Sequence, residues 1–320
     1  MSSATTAEMV GFVVLIFLFT AATARYVSRE SKQDNHFTDE DKQTELWWVI
    51  DDLEGNSRNW LDWGARLTKT PNSPFLNVHL RRCKEVHGAD FKVVPLIGRD
   101  AVHSVLRSHG VTVPGEADIA PGWLWRTWAS AHMVCYVGGL WVDSYVLFLR
   151  SIVPALGKEK AMRFGSDPDE ELVGAKGGSV GSATNVLWAI NEGCGLWKGY
   201  AQDLDKLMRG GPLSWNSGKI RRAIRYLQDK HLSQQVPVSR DAEWSRFSNG
   251  KLIQTDDLLE RFIEGENELP PPTAFYVPLA PDYLNRSITN AWFLRLSEDQ
   301  LLEAKFVWAH LASPLLIKSQ

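Results

Sequence analysis

The residues of this chain best placed to do chemistry lie in Gly138-Gly139-Leu140-Trp141-Val142-Asp143. An aromatic-rich helical pattern, Trp123 to Tyr136, runs into the Gly-Gly turn, and a short apolar strand then carries Asp143 to its C-terminal end. Ligands of open α/β sheets bind outside the carboxyl ends of the strands. A carboxylate there can hold a hard divalent cation, and the cation can neutralise a pyrophosphate leaving group. Transfer from a nucleotide sugar needs that chemistry. A lone strand-end Asp also caps turns, so the glycines and the strand context carry the functional reading. Two further acids hold comparable places. Asp51 ends the apolar run Glu45 to Asp51, and Asp100 follows the strand-like Asp90 to Ile97. Both are candidates for base or ribose contacts, although caps and turns favour Asp anyway.

Other constellations carry less. His79, His87, His103, His109 and His132 are scattered, without metal-ligand spacing. Gly174-Ala175-Lys176-Gly177-Gly178-Ser179 lacks phosphate-loop spacing and reads as a flexible loop, a candidate lid over a donor. Ser179 and Ser182 lie in no nucleophile-elbow pattern, so a hydrolytic enzyme has no motif behind it.

The elements that must position these residues alternate. The spacing predicts a strand over 45–51, a helix over Pro74 to Glu85, a strand over 90–97 and a helix over Arg99 to Ser108 with Asp100 in a cap-like place. A strand–helix alternation of this kind signals a mostly parallel sheet covered by helices. Further on, Met162 to Phe164 and Glu171 to Gly174 are short strand candidates. Ser182 to Met208 reads as a helix kinked near Gly193-Cys194-Gly195, and Arg221 to His231 as another helix. Residues 297–312 read as one amphipathic helix with Ser297 as N-cap and Gln300 in the capping-box place.

Composition bounds the reading. The chain has 320 residues, 44% hydrophobic and 23% charged, which is globular. A formal charge of −3 gives no basic field for nucleic acid. The basic run Lys219 to Arg225 alternates with Ile at helical spacing and reads as a solvated helix face. The 14 Trp read mainly as core anchors. Three dispersed Cys suggest neither a zinc site nor a disulfide framework.

At the N-terminus, Met9 to Ala24 is uncharged and apolar, and residues 9–27 form a single-pass membrane anchor if Arg25 snorkels. Ala22-Thr23-Ala24 also has the small-x-small form of a signal-peptide cleavage site, but no Lys or Arg precedes the apolar run. Arg25, Arg29 and Lys32 follow it and would place the large domain in the cytoplasm. The sequon Asn285-Arg286-Ser287 would matter only in a secretory lumen, so the side stays open. The organisation expected is a tail at 1–8, the anchor, a charged flexible stem at 28–44, a catalytic domain at 45–265, and a C-terminal extension at 266–320 packing on it.

Ala129 to Phe148 (ASAHMVCYVGGLWVDSYVLF) resembles the capsular polysaccharide synthesis proteins, within the wider group of DXD-containing sugar transferases. The likeness extends to Leu46-Trp47-Trp48-Val49-Ile50, to Pro74 through Ile97, and to Asn185 through Gly193. It implies an α/β GT-A type fold, a nucleotide-sugar donor, a glycan or polysaccharide acceptor and Mn²⁺ or Mg²⁺. It also implies that Asp143 binds the metal, that Gly138 and Gly139 let the backbone approach the sugar or diphosphate, and that Asn185 touches the sugar or the acceptor. This chain departs from the pattern in two places. Asp143-Ser144-Tyr145 lacks the second acid of Asp-x-Asp, as the capsular subgroup commonly does. Thr127 and Ser130 stand where the group usually has an Asp and an Arg that touch the nucleotide, with Arg126 close by as a substitute. These departures leave an alternative expectation: a catalytically degenerate transferase fold serving as a membrane-attached binding or scaffold protein.

Overall fold

The computed structural model describes residues 43–51, 74–164, 186–190, 192–215, 217–236, 247, 253, 255–279, 284 and 292–313. All the elements below belong to the compact unit Thr44–Gln320. The expected anchor, stem, glycine-rich loop, strand over 171–174 and sequon lie outside the described residues. Among the described residues, no helix is long and apolar enough to cross a membrane.

The fold is α/β around a five-stranded sheet. Its strands are β1 (Glu45–Ile50), β2 (Lys92–Ile97), β3 (Gly139–Asp143), β5 (Ala161–Phe164) and β6 (Val186–Ala189), in the order β2-β1-β3-β6-β5. β1 pairs in parallel with β2 and with β3, while β6 runs antiparallel to both its neighbours. Four of the five strands therefore point one way, and β6 alone is reversed. A separate two-stranded antiparallel sheet joins β4 (Val146–Phe148) to β7 (Tyr276–Pro278).

Central strands buried on both faces need apolar side chains at every position, and ELWWVI in β1 supplies them. Leu46, Trp48 and Ile50 enter one core, and Trp47 and Val49 enter the other. The first core is closed by α1 (Pro74–His87), by the β4–β7 sheet and by the C-terminal segment. The second is closed by α2 (Arg99–Ser108), α3 (Gly122–His132), α4 (Lys198–Arg209) and α5 (Ser217–His231). Tryptophans 47, 48, 125, 128, 141, 188, 197 and 308 are all buried, so among the described residues the indoles act chiefly as core.

Two sequence expectations fail here. Val186 to Ala189 is a strand and not part of a long helix; the helical path resumes at Glu192–Leu196 and in α4. The four residues are wholly buried between β3 and β5, and periodicity cannot separate so short an apolar run from a helix segment. The C-terminal amphipathic pattern breaks into α6 (Glu298–Glu303) and α7 (Val307–Ala312). The expected capping box between Ser297 and Gln300 is present. The helix stops because Phe306 turns extended to bridge Arg261, with Phe262 N–H bonding to the Lys305 carbonyl and Val307 N–H to that of Glu260. Phe306 and Trp308 then both pack edge-on to Phe293.

Candidate active site at the carboxyl edge of the parallel strands

β2, β1 and β3 end side by side. Backbone bonds stitch the edge together: Gly98 N–H to the Ile50 carbonyl at 2.9 Å, and Ser144 N–H to the Val49 carbonyl at 3.0 Å. Side chains alternate along a strand. Trp47, Val49 and Trp141 face the second core, so Asp51 and Asp143 emerge on that same face. The structure thus brings two of the expected acids to one edge, and each meets an arginine.

Asp51 is held by Arg99. Nε and Nη2 of the guanidinium donate to Oδ1 and Oδ2, both at 2.8 Å. Nη1 donates to the Ala117 carbonyl at 2.8 Å and to that of Asp118 at 3.3 Å. The guanidinium lies 4.9 Å from the centre of the Trp125 ring, and both partners are buried. A bidentate carboxylate fork of this kind fixes geometry as well as charge. It ties the end of β1 to α2 and to the turn Gly115–Asp118.

Asp143 is held much less firmly. Its nearest contact is Arg126, with Nε 3.8 Å from Oδ2, beyond hydrogen-bonding range. Both side chains are buried. Oδ1 of Asp143 has no hydrogen-bond partner among the described residues. Burial raises the carboxyl to about 6, Arg126 works against the rise, and the nearby charge of Asp51 adds to it. The result is a dry carboxylic acid with one uncommitted oxygen beside a cation.

Arg126 reaches this place through an irregular helix end. The α3 path continues into a π-turn over Met133–Val137, then into Gly138 and β3. A π-turn adds one residue to a helical path and rotates what precedes it. Arg126 lies one helical turn before Ser130, on the same side of α3. It faces Asp143, whereas the Ser130 hydroxyl bonds back to the Thr127 carbonyl.

Gly138 and Gly139 lie away from Asp143. They stand at the start of β3, at the opposite end from Asp143, about 13 Å away at ~3.3 Å per residue. Both have positive φ, 85° and 90°. A Cβ on Gly139 would lie 2.4 Å from the Glu45 carbonyl oxygen. The Gly138 carbonyl accepts a 2.8 Å bond from Trp47 Nε1. The pair is there so that β3 can enter the sheet tight against β1, not to admit a ligand at the carboxyl edge.

Asp100 is also displaced from its expected place. Gly98, with φ 87°, precedes the first residue of α2, and Asp100 lies exposed inside the first turn, making no cap. It forms a cluster with His103 and Asp118, the one group of three potential metal ligands among the described residues. The histidine opposes a metal there. Trp125 Nε1 can only donate, and it donates to His103 Nε2 at 3.0 Å. The proton of the neutral ring is therefore on Nδ1, which faces Asp118 Oδ1 at 3.2 Å. A cation on Nδ1 would have to displace that proton and would leave Nε2 needing one opposite the indole N–H; burial lowers the imidazole below its ordinary value and keeps the ring neutral, with Asp118 only partly offsetting this.

Asn185 lies outside the described residues; its neighbour Val186 pairs with Val142, next to Asp143. Sequence reasoning missed Arg99 and His79. Arg99 carried a faint signal, as a cation directly after the predicted strand end and opposite a strand-end acid. His79 carried none beyond its place on the apolar side of α1.

No protein-family model matches the chain, and no curated protein or solved structure matches it either.

Proposed function

We propose that this protein is a glycosyltransferase of GT-A type, moving a sugar from a nucleotide-sugar donor to a glycan acceptor at a membrane to which residues 9–27 attach it. One observation carries the reading. Asp143 stands at the carboxyl edge of three parallel strands with a free oxygen and an arginine beside it. Magnesium-type sites commonly use one or two carboxylates and complete their shell with water and substrate phosphates. A single uncommitted carboxylate oxygen fits that mode, and a bound Mn²⁺ or Mg²⁺ would supply charge neutralisation for the leaving diphosphate. Arg126 supports the same reading, because its cation suits the donor's diphosphate and disfavours a metal bound without one. Asp51 serves the site indirectly here, through the β1 edge that it fixes.

Titration calorimetry of the full chain with UDP- and GDP-sugars, each with Mn²⁺ or Mg²⁺, tests this. Saturable, cation-dependent binding that Asp143→Ala abolishes is the expected result. Full transfer activity in Asp143→Ala would remove the metal role. The second reading, a degenerate transferase fold acting as a membrane-attached scaffold, is favoured by Arg99 capturing Asp51, the other acid that the described residues bring to this edge. Absence of binding to any donor would select it.

A further inference from the structure

Behind Asp143, on the opposite face of the sheet, lies a histidine that the proposed chemistry does not use. His79 projects from α1 and is fully buried. Its Nδ1 is 2.8 Å from the Ser144 carbonyl oxygen, and its Nε2 is 3.1 Å from Nε1 of Trp308, in α7. Each contact admits one polarity. A carbonyl oxygen only accepts, so Nδ1 carries a proton. An indole N–H only donates, so Nε2 carries none. Both contacts demand the same neutral tautomer. Among the described residues its ring neighbours are aromatic: Phe75 is edge-on at 5.4 Å, and the Trp308 ring lies at 5.7 Å. Burial accordingly pushes the imidazole down to about 4, with the Ser144 bond opposing the shift.

Ser144 directly follows Asp143. Its N–H is committed to the Val49 carbonyl and its own carbonyl to His79, while Asp143 sits opposite Val49 in the strand register. The backbone that ends β3 is thus pinned within the sheet by β1 and from one face by α1. Trp308 supports the second pin: its N–H engages Nε2 and holds the ring where Nδ1–H meets the Ser144 carbonyl.

We propose that Trp308 and His79 are positioning residues for Asp143: the indole N–H of the C-terminal segment holds the His79 ring in place, and the ring's Nδ1–H holds the strand end on which the carboxylate is carried. This deepens the reading of Asp143 as the cation- and donor-binding acid and rests on it. Outer partners of a metal ligand typically control affinity by 10- to 100-fold. The lower end, roughly tenfold, is the effect expected for a residue acting through one backbone carbonyl.

The test uses the full chain with Trp308→Phe, which keeps an aromatic ring against Phe293 and removes only the donor. Long-range ¹H–¹⁵N spectra report the His79 tautomer. ¹³C carboxyl spectra report the Asp143 titration midpoint without any ligand. Calorimetry with Mn²⁺ and nucleotide sugar reports affinity. The lock predicts a single Nδ1–H tautomer in the native chain. In Trp308→Phe it predicts that the Nδ1–H tautomer is kept with a shifted Nε2 resonance, that the Asp143 midpoint is lowered from about 6 as water reaches the loosened edge, and that binding is roughly tenfold weaker. His79→Asn, which can still donate to the Ser144 carbonyl, retains the native midpoint, and His79→Leu does not. An unchanged Asp143 midpoint in Trp308→Phe would overturn the lock, as would His79→Asn behaving like His79→Leu at equal thermal stability. If the native chain binds no donor, the transferase reading falls, while the tautomer and the midpoint still decide the lock.

Discussion

Two acid–arginine pairs share one edge of the sheet, and they are built differently. Asp51 and Arg99 meet through two bonds of 2.8 Å, and the guanidinium spends its remaining donor on backbone carbonyls. Asp143 and Arg126 stand 3.8 Å apart, with a carboxylate oxygen unused. Burial is the same, so the difference lies in hydrogen-bond satisfaction. A buried charge with every lone pair engaged costs little to keep; one that is not engaged stays expensive until something arrives. The first pair is a latch, and the second is a vacancy for charge.

Four measurements would break or sharpen this contrast. The largest effect belongs to Arg99→Ala, which strands Asp51 in the interior. Denaturant unfolding should show a loss of about 3–5 kcal/mol, a large share of a typical domain stability of about 5–15 kcal/mol. Arg126→Ala should cost clearly less; equal losses would show that the two pairs do the same work.

Next comes Asp143→Asn. The native carboxyl is raised from 3.8 to about 6, so the folded state holds a proton between those values that the unfolded chain has released. Above pH 6 the folded protein bears the cost of ionising Asp143; below pH 4 both states are protonated and the cost vanishes. Asparagine should therefore stabilise the fold at pH 8 by up to about 3 kcal/mol and have no such effect at pH 3.5. Asp51→Asn should destabilise at pH 8. A destabilised Asp143→Asn at pH 8 would mean that the carboxylate is satisfied after all.

The third expectation concerns linkage. A cation must displace the Asp143 proton, so its affinity should fall about tenfold for each pH unit below about 6, with proton release measurable by calorimetry in buffers of different ionisation enthalpy. A flat profile from pH 4 to 7 would place the cation elsewhere. The smallest effect is expected at exposed Asp100 and Asp118, which flank buried His103. Asp100→Asn and Asp118→Asn should change cation affinity and stability by under ~0.5 kcal/mol.

Much of the frame was legible before the structure. β1, α1, β2, α2, α3 and β3 carry strong periodicity, Pro or Gly punctuation and apolar runs of the right length. The strand-end rule locates Asp51 and Asp143, and Arg126 stands out as the cation beside Thr127 in the helix that leads into β3. What escaped was decided by partners distant in sequence. The run Val186 to Ala189 is apolar on both faces, and only its placement between β3 and β5 makes it a strand. The 297–312 pattern kept helical period across Phe306, where pairing with Arg261 overrode it. Gly138 and Gly139 look identical in sequence whether they admit a phosphate or a neighbouring backbone; only the fold shows that a Cβ on Gly139 would meet the Glu45 carbonyl oxygen at 2.4 Å. His79 was unreadable, because a buried histidine is defined by what its two nitrogens meet, and Ser144 and Trp308 stand 65 and 229 residues away.

The π-turn at Met133–Val137 has a consequence for how much length variation this region tolerates. Each residue of a helix turns its axis by roughly 100°. Removing the inserted residue would swing Arg126 out of line with Asp143 and carry Trp125 away from both Arg99 and His103. The turn works as a phase adjuster, and a one-residue deletion there should uncouple the edge more thoroughly than most point substitutions inside it.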